Sequence, residues 1–521
     1  MTTTSAALAR ATVNPWVIAV VVAMAAFMEV LDTTIANVVL PYIGGALAVS
    51  SDEASWVVTT YLVANAVALT SSSFLARRLG RKRFFLICVV LFTISSVLCG
   101  LAWNLQALLV FRIMQGLGGG GMVPVAQSIL ADAFPPEKRG QAFAMFGLAV
   151  VVAPVVGPTL GGYLADNVGW QWCFLVNGPV GILLVALVWM LLPPSAGEEE
   201  RRKLHKEGLG FDMIGFVLVA VFLGSLEVIL DRGLEDDWLG STFIVTMTII
   251  CALAFALMIP WEFTRKNPVI DLRMVATGQF GACFLVMLMA GAILLATTQI
   301  LPLLVQQNFG YTATWAGLML SPGGVVTMIM VFLCGRLLGF VQPKYLIAAG
   351  GLIVAAAMWG LTSLYGDVTF SYFAWSRIYV GVGLPLILIP VLTAAYAAVP
   401  PGQTDQASAL INAARNIGGS IGISLSTNVL AHRAQFHQSR LAENVSPSDP
   451  EYQDTLRKVT EYFTMQGSPH EHAHRQAIEW IGQQVELQAS FLAYIDVFWT
   501  LMLLALAIVP LALLLRRSKP G

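Results

Sequence analysis

Two carboxylates and a guanidinium stand where charge is costly. Glu29 and Asp32 lie in FMEVLDTTIANVVLP and Arg112 in FRIMQGLG, each inside a long apolar run. An ionisable group within a bilayer costs on the order of 2.5–3.5 kcal/mol by insertion scales, so its presence asks for a partner or a function. Glu29 and Asp32 are three residues apart and share a helix face. Asp32 precedes Pro41 by nine residues, which puts it roughly 13 Å from the outer end of its helix. Arg112 is about seven residues, or roughly 10 Å, from the outer end of its own. The depths match, so an ion pair or hydrogen-bonded pair between the two helices is geometrically available. Burial disfavours a charged carboxylate and a neighbouring arginine favours it. A group balanced between the two can load and release a proton as its surroundings open and close. Arginine stays charged at any working pH, so it biases the acid without titrating itself. The other reading is a static pair that fixes helix packing. Glu29 could instead face cationic substrates.

The elements that must position these groups follow from composition. Of 521 residues, 57% are hydrophobic and 11% charged, against about a quarter charged in a soluble domain. A surface this apolar belongs in a bilayer, and a net charge of −1 points to no nucleic-acid partner. A spanning helix needs about 20 mostly apolar residues. About fourteen such segments are predicted: near 16–40, 55–76, 84–102, 105–131, 141–165 and 172–192; near 211–231 and 241–262; and near 279–303, 312–338, 345–365, 371–398, 405–430 and 490–515. The first is too long for a signal-peptide core, and no small-residue cleavage site is evident. With a cytoplasmic N-terminus and alternating loops, the basic runs Arg77–Arg83, Lys138–Arg139, Arg201–Lys206 and Arg516–Lys519 all fall inside. The short outer loops hold only Arg232. This positive-inside asymmetry places both termini in the cytoplasm.

A pattern recurs after a shift of 265 residues. FRIMQGLG (Phe111–Gly118) returns as SRIYVGVG (Ser376–Gly383), aligning Arg112 with Arg377, and PPEKRGQA (Pro135–Ala142) returns as PPGQTDQA (Pro400–Ala407). A parallel repeat in a membrane protein predicts a two-bundle transporter with its path between the halves. The predicted fold class is an all-α integral membrane protein. An N-terminal six-helix bundle covers 1–195, a linker and two inserted helices cover 196–275, and a C-terminal six-helix bundle covers 276–521. The run GEEERRKLHKEG (Gly197–Gly208) reads as the solvated linker. About sixty polar residues, 431–489, separate the last two helices on the outer face. Within them Tyr452, Leu456, Val459 and Phe463 share a helix face, as do Ile478, Ile481 and Val485. This predicts a projecting helical hairpin whose stripes pack on each other or meet a partner.

Other candidates surround this frame. Gly118–Gly121 remove side chains where helix backbones approach closely. In GLAVVVAPVVGPTLGGYL on the fifth helix, Pro154 and Pro158 bend the helix, while Gly157, Gly161 and Gly162 permit close packing along the bend. Such a helix between the halves reads as a hinge or an outer seal. Asn412, Arg415, Asn416 and Gly419 share a face of the thirteenth helix. That polar face is assigned to the substrate cavity together with Asn37 and Gln115; interhelical hydrogen bonding is the other reading. Arg377 reads as a structural twin of Arg112. Glu227 and Asp231, on an inserted helix outside the core halves, are expected at an interface. His470, His472 and His474 fit a solvated turn better than a metal site. The six cysteines stand singly, without metal-ligand spacing. No phosphate-binding GxxxxGK loop supports ATP as energy source, so no cofactor is expected and a proton gradient is the expected drive.

RIMQGLGGG, GLAVVVAPVVGPTLGG, LDTTIANVVLP and WQWCFLVNGPVG (Trp170–Gly181) resemble the arginine–glycine, antiporter, first-helix and sixth-helix motifs of one group. These are the fourteen-helix drug:proton antiporters of the major facilitator superfamily, of the EmrB/QacA type. SSFLARRLGRKR (Ser72–Arg83), with Arg78, Gly80, Arg81 and Lys82, resembles that superfamily's basic loop after the second helix. Ser73 stands at the usual early glycine and Arg77 at the usual acid, which puts a charge relay through that loop acid in doubt. The resemblance covers nearly the whole chain. It implies a major facilitator fold, export of lipophilic or amphipathic drugs by alternating access and a bacterial inner-membrane location, and the residues read above, Asp32, Glu29 and Arg112, are the candidates for proton coupling. The long loop before the last helix favours the EmrB-like branch, which implies a periplasmic adaptor protein and, through it, an outer-membrane channel. The implied chemistry is binding and protonation, not enzymatic turnover. Methionine-rich apolar helices suit substrates of varied shape. A dedicated exporter of one metabolite, fatty acid or siderophore would need the same motifs. A membrane scaffold that had lost transport would have no use for Asp32 and Arg112.

Overall fold

The structure, a computed structural model, describes residues 14–192, 212–265, 268–366, 368–400, 403–443, 445–446 and 448–515. The linker Gly197–Gly208 lies outside them. The first six long helices are α1 Pro15–Leu47, α2 Ser51–Leu79, α3 Arg81–Gly100, α4 Leu105–Ala133, α5 Pro136–Asn167 and α6 Trp172–Leu191, the last interrupted at Val176. Two more follow, α7 Met213–Arg232 and α8 Thr242–Thr264. Then come α9 Gly278–Phe309, α10 Ala313–Leu337, α11 Pro343–Thr362, α12 Phe370–Ala397, α13 Thr404–Glu443, α14 Pro450–Met465 and α15 His470–Leu513. The start of α4 at Leu105 and of α12 at Phe370 reproduces the 265-residue shift of the sequence repeat.

Local chemistry explains several boundaries. Ser50 and Glu53 cap α2 reciprocally, and the Asn104 side chain accepts from the Ala107 N–H at the start of α4. Between α2 and α3 the chain turns at Gly80, whose φ of +86° suits glycine.

Among the described residues, twelve helices are long and apolar enough to cross a membrane. The sequence predicts about fourteen spans. Of the two other predicted spans, α13 is 40 residues long and rich in glycine and polar side chains, and α5 is a 32-residue helix through the apolar run FAMFGLAVVVAPVV. Both pack inside the bundle, α5 against α1 and α10 and α13 against α9, α15 and α2, so neither needs a fully lipid-compatible surface. Elsewhere large apolar side chains such as Ile94, Ile182, Trp189, Leu257 and Trp359 point outward, as lipid contact requires.

Helices α1–α6 pack mainly on one another, as do α9–α13 and α15, and the two groups meet through α5 with α10 and α2 with α13. The pair α7 and α8 leans on the second of these seams, with α7 touching both α2 and α13.

The described residues of segment 431–489 are mostly helical and continuous with the spans that flank them. Helix α13 runs without a break to Glu443, α15 starts at His470, and the added helix α14 lies against the α15 extension. Tyr452, Leu456, Val459 and Phe463 cover Ala477 and Ile481. The predicted stripes thus pack on each other, with the small Ala473 and Ala477 setting the line, whereas Ile478 points outward. Helix α14 and the start of α15 thus form the hairpin, turning at Gly467 (φ +97°), and the α13 and α15 extensions join it to the spans without a break.

Candidate functional site

Asp32 sits at the centre of a closed polar cluster. Its Oδ2 accepts from Arg112 Nη1 at 2.7 Å. Its Oδ1 accepts from Gln115 Nε2 at 2.8 Å and from Asn177 Nδ2 at 2.7 Å. Arg112, Gln115, Asn177 and Asp32 are 0–2% exposed. Arg112 also donates through Nε to the Val57 carbonyl at 3.0 Å, and its guanidinium lies 4.2 Å from the Tyr61 ring centre. Asn177 reaches on to Ser96 Oγ at 3.0 Å. Helices α1, α2, α3, α4 and α6 therefore all contribute. Removing two ions from water costs several kcal/mol per ion, and only close pairing with further hydrogen bonds offsets it. Every contact on Asp32 comes from an N–H group, so this arrangement suits the ionised carboxylate.

This places the expected pair of Asp32 and Arg112 together and corrects one assignment. Gln115 does not line a substrate cavity; it is a donor to Asp32, as its position three residues from Arg112 on the same helix face allows. Asn177 and Ser96 were not foreseen. A lone asparagine in the apolar run FLVNGPVG is the signal that could have found the first.

Glu29 is placed differently. Its Oε1 accepts from Asn65 Nδ2 at 2.9 Å, while Oε2 is enclosed without a hydrogen-bond partner. Its charge interacts with that of Arg415 on α13, across the two halves. Arg415 is half-buried, and Asn37 is exposed further along α1.

Glycines bring these helices together. A Cβ on Gly120 would fall 2.2 Å from the Asn65 carbonyl oxygen, and one on Gly118 would fall 2.7 Å from the Phe92 nitrogen. The α4 glycine run is thus pressed between α2 and α3. On α5, a side chain at Gly157 would strike Thr34 and one at Gly161 would crowd Ile35, so both support close packing on α1. Gly162 faces open space and plays no such part. Pro154 and Pro158 lie within the unbroken α5 helix.

The end carrying the basic loop is sealed across the halves. Arg81, at the start of α3, binds Asp405 on α13 through Nε at 2.8 Å and Nη2 at 3.0 Å. It also pairs with Asp132 at the end of α4 and donates to Thr404. Arg78 is exposed, whereas Lys82 donates to the Trp189 and Leu192 carbonyls at the end of α6. The carboxylates that meet this loop's Arg81 therefore come from the end of α4 and the start of α13. Deeper in, Asn412 Nδ2 donates to Gln127 Oε1 at 2.6 Å and Ser408 donates to the Pro124 carbonyl at 2.7 Å. Asn412 is 1% exposed, so in this conformation it belongs to the seal and not to an open cavity. Asn416, one turn on, is half-buried and its carbonyl accepts from Ser420.

On α7, Glu227 accepts from Ser420 on α13 at 2.7 Å, and Asp231 accepts from Thr59 on α2. Both acids therefore meet the interface. All six cysteines are buried free thiols.

Two helical bundles with a buried carboxylate–arginine cluster in one and a seal between them define a transporter of the major facilitator type. The chain matches the family described as Major Facilitator Superfamily over residues 22–423, and it belongs to that superfamily. It is 33% identical over 498 residues to the multidrug export protein EmrB of Haemophilus influenzae, spanning 95% of this chain and 94% of that protein. It is 35% identical over 444 residues to the fatty acid resistance protein FarB of Neisseria gonorrhoeae, spanning 85% of each. Among solved structures, the proton:xylose symporter XylE superimposes with a TM-score of 0.58 at 15% identity, covering 95% of this chain and 96% of that one. At that identity the likeness concerns the fold alone.

Proposed function

We propose that the protein is a proton-coupled multidrug efflux transporter of a bacterial inner membrane, with both termini cytoplasmic. The observation that carries this reading is the Asp32 carboxylate held by three N–H donors from three side chains inside a membrane-spanning bundle. Protonation of Asp32 removes the charge that Arg112, Gln115 and Asn177 converge on, and so loosens α1 from α4 and α6. Rebinding those donors expels the proton. Alternation between the two states, with the Arg81–Asp405 seal breaking and re-forming, exchanges a proton for a drug. A membrane potential supplies about 2.3 kcal/mol per charge per 100 mV. Similarity to a protein named for multidrug export supports drugs as substrates; similarity to one named for fatty acid resistance favours a second reading, a pump dedicated to fatty acids.

The variant Asp32→Asn keeps size and cannot titrate. In proteoliposomes with an imposed pH gradient it is expected to lose drug efflux while remaining folded; wild-type efflux would remove Asp32 from the mechanism.

Helix α14 and the extensions of α13 and α15 are the proposed docking surface for a periplasmic adaptor leading to an outer-membrane channel. A cysteine introduced at the exposed Gln453 should cross-link to that adaptor in cells. Labelling of that cysteine only from the cytoplasm would overturn the topology as well as the docking.

A further inference from the structure

Tyr61 on α2 stands between the two acids of α1. It is 1% exposed and shares a helix face with Asn65, four residues on. Its ring centre lies 4.2 Å from Cζ of Arg112, the cation that holds Asp32. Arg112 Nη2 is enclosed without a hydrogen-bond acceptor, so the aromatic face is the remaining compensation for that end of the guanidinium. Such an attraction is stronger out of water than in it. At its other end the Tyr61 hydroxyl lies 3.5 Å from Asn65 Nδ2. The same nitrogen donates to Glu29 Oε1 at 2.9 Å. One side chain therefore touches both the cation of Asp32 and the donor of Glu29.

Helix α4 fixes this bridge. Arg112, Gly116 and Gly119 follow at spacings of four and three and share the face turned to α2. A Cβ on Gly116 would fall 2.5 Å from the Tyr61 carbonyl oxygen. One on Gly119 would fall 2.8 Å from the Tyr61 hydroxyl, 3.2 Å from Asn65 Nδ2 and 3.4 Å from Glu29 Cγ. The two glycines thus clear a slot that runs from the guanidinium to Glu29, and Tyr61 fills it. Close-packed side chains do not deform continuously, so a shift of the guanidinium is passed to the ring and on to Asn65. The carboxylates otherwise keep separate company. Asp32 takes Arg112, Gln115 and Asn177, whereas Glu29 takes Asn65 and faces Arg415.

We propose that Tyr61 is a positioning residue that relays the charge state of Asp32 to Glu29, where a lipophilic cation would meet the carboxylate oxygen that lacks a partner. With Asp32 ionised, Arg112 is shared between the carboxylate and the ring. When Asp32 takes a proton, the guanidinium loses that counter-charge and settles on the ring. The hydroxyl and Asn65 then shift against Glu29, which weakens its hold on the cation. This inference rests on the transporter reading and deepens it.

The test is a double-mutant cycle on binding of ethidium, a fluorescent lipophilic cation, to the full-length protein in nanodiscs at one neutral pH. Asp32→Asn imitates the protonated acid. In the wild-type background it is expected to lower ethidium affinity by about tenfold. In the Tyr61→Leu background, which lacks the aromatic face, the same substitution should change affinity by less than about twofold. Tyr61→Phe keeps the ring on Arg112 and loses the hydroxyl beside Asn65, so there the effect should shrink to about threefold. A full tenfold effect in Tyr61→Leu would show that the two acids sense each other's charge directly, and would overturn the proposal. It also fails if wild type does not bind ethidium, or if Asp32→Asn leaves its affinity unchanged. Equal weakening of ethidium and neutral chloramphenicol in both Tyr61 variants, with the Asp32→Asn effect intact, marks a packing role and overturns it too. Should Tyr61→Leu not fold, an undiminished effect in Tyr61→Phe decides against the relay and a reduced one for it. Failure of proton-driven efflux by wild type in proteoliposomes would sink the transporter reading instead, and leave the binding cycle to stand by itself.

Discussion

Glu29 and Asp32 occupy the same face of the same helix, one turn apart, yet their surroundings differ in kind. Asp32 is met by three N–H donors from its own half, one of them an arginine. Glu29 has one donor, an enclosed oxygen with no partner, and a cation on the opposite half. A saturated carboxylate reports on packing within one bundle, because moving α1 against α4 or α6 breaks its contacts. A half-satisfied carboxylate facing the other bundle reports on what lies between the halves. On this difference we propose that Asp32 serves coupling and Glu29 the choice of cargo.

The largest effect on this comparison should come from Arg112→Lys. Lysine keeps the charge but loses the bond to the Val57 carbonyl and the planar stack on Tyr61. Breaking a buried ion pair costs about 3–5 kcal/mol, and with part of the charge interaction kept, transport should fall roughly tenfold to a hundredfold. The pH profile of transport should move as well. A wild-type rate and profile would show that the arginine does not govern Asp32.

A smaller and more selective effect is expected from Glu29→Gln. Glutamine can still accept from Asn65 but presents no charge to Arg415. Efflux of neutral drugs should change by less than about threefold, whereas efflux of a cationic drug should fall by about tenfold. Equal loss of both, to the level of Asp32→Asn, would erase the distinction between the two acids.

Much of this arrangement was legible before any coordinates. The Asp32–Arg112 pair follows from matched depths in two apolar runs, because rise per residue is nearly constant in helices. The repeat was legible because its arginine and glycines keep one spacing in both copies. Other features depend on tertiary neighbours. The role of Gln115 was misjudged by treating an intramembrane amide as cavity lining, although the helix face it shares with Arg112 already pointed to Asp32. The seal was missed because the partners of Arg81, Asp132 and Asp405, lie at the ends of distant helices, not in the loop. Asn412 took the interhelical reading because Gln127 stands opposite it, a pairing no local spacing reveals. The α13 and α15 extensions were missed because a change from apolar to polar composition does not itself end a helix.

The central claim, that drug and proton compete through Asp32, is tested most directly by proton release from purified protein. Substrate is added to wild type, Asp32→Asn and Glu29→Gln in weakly buffered detergent solution, and released protons are followed with a pH indicator. Wild type and Glu29→Gln should release protons in proportion to a neutral drug bound, and Asp32→Asn should bind the drug and release none. Release from Asp32→Asn equal to that of wild type would contradict the account.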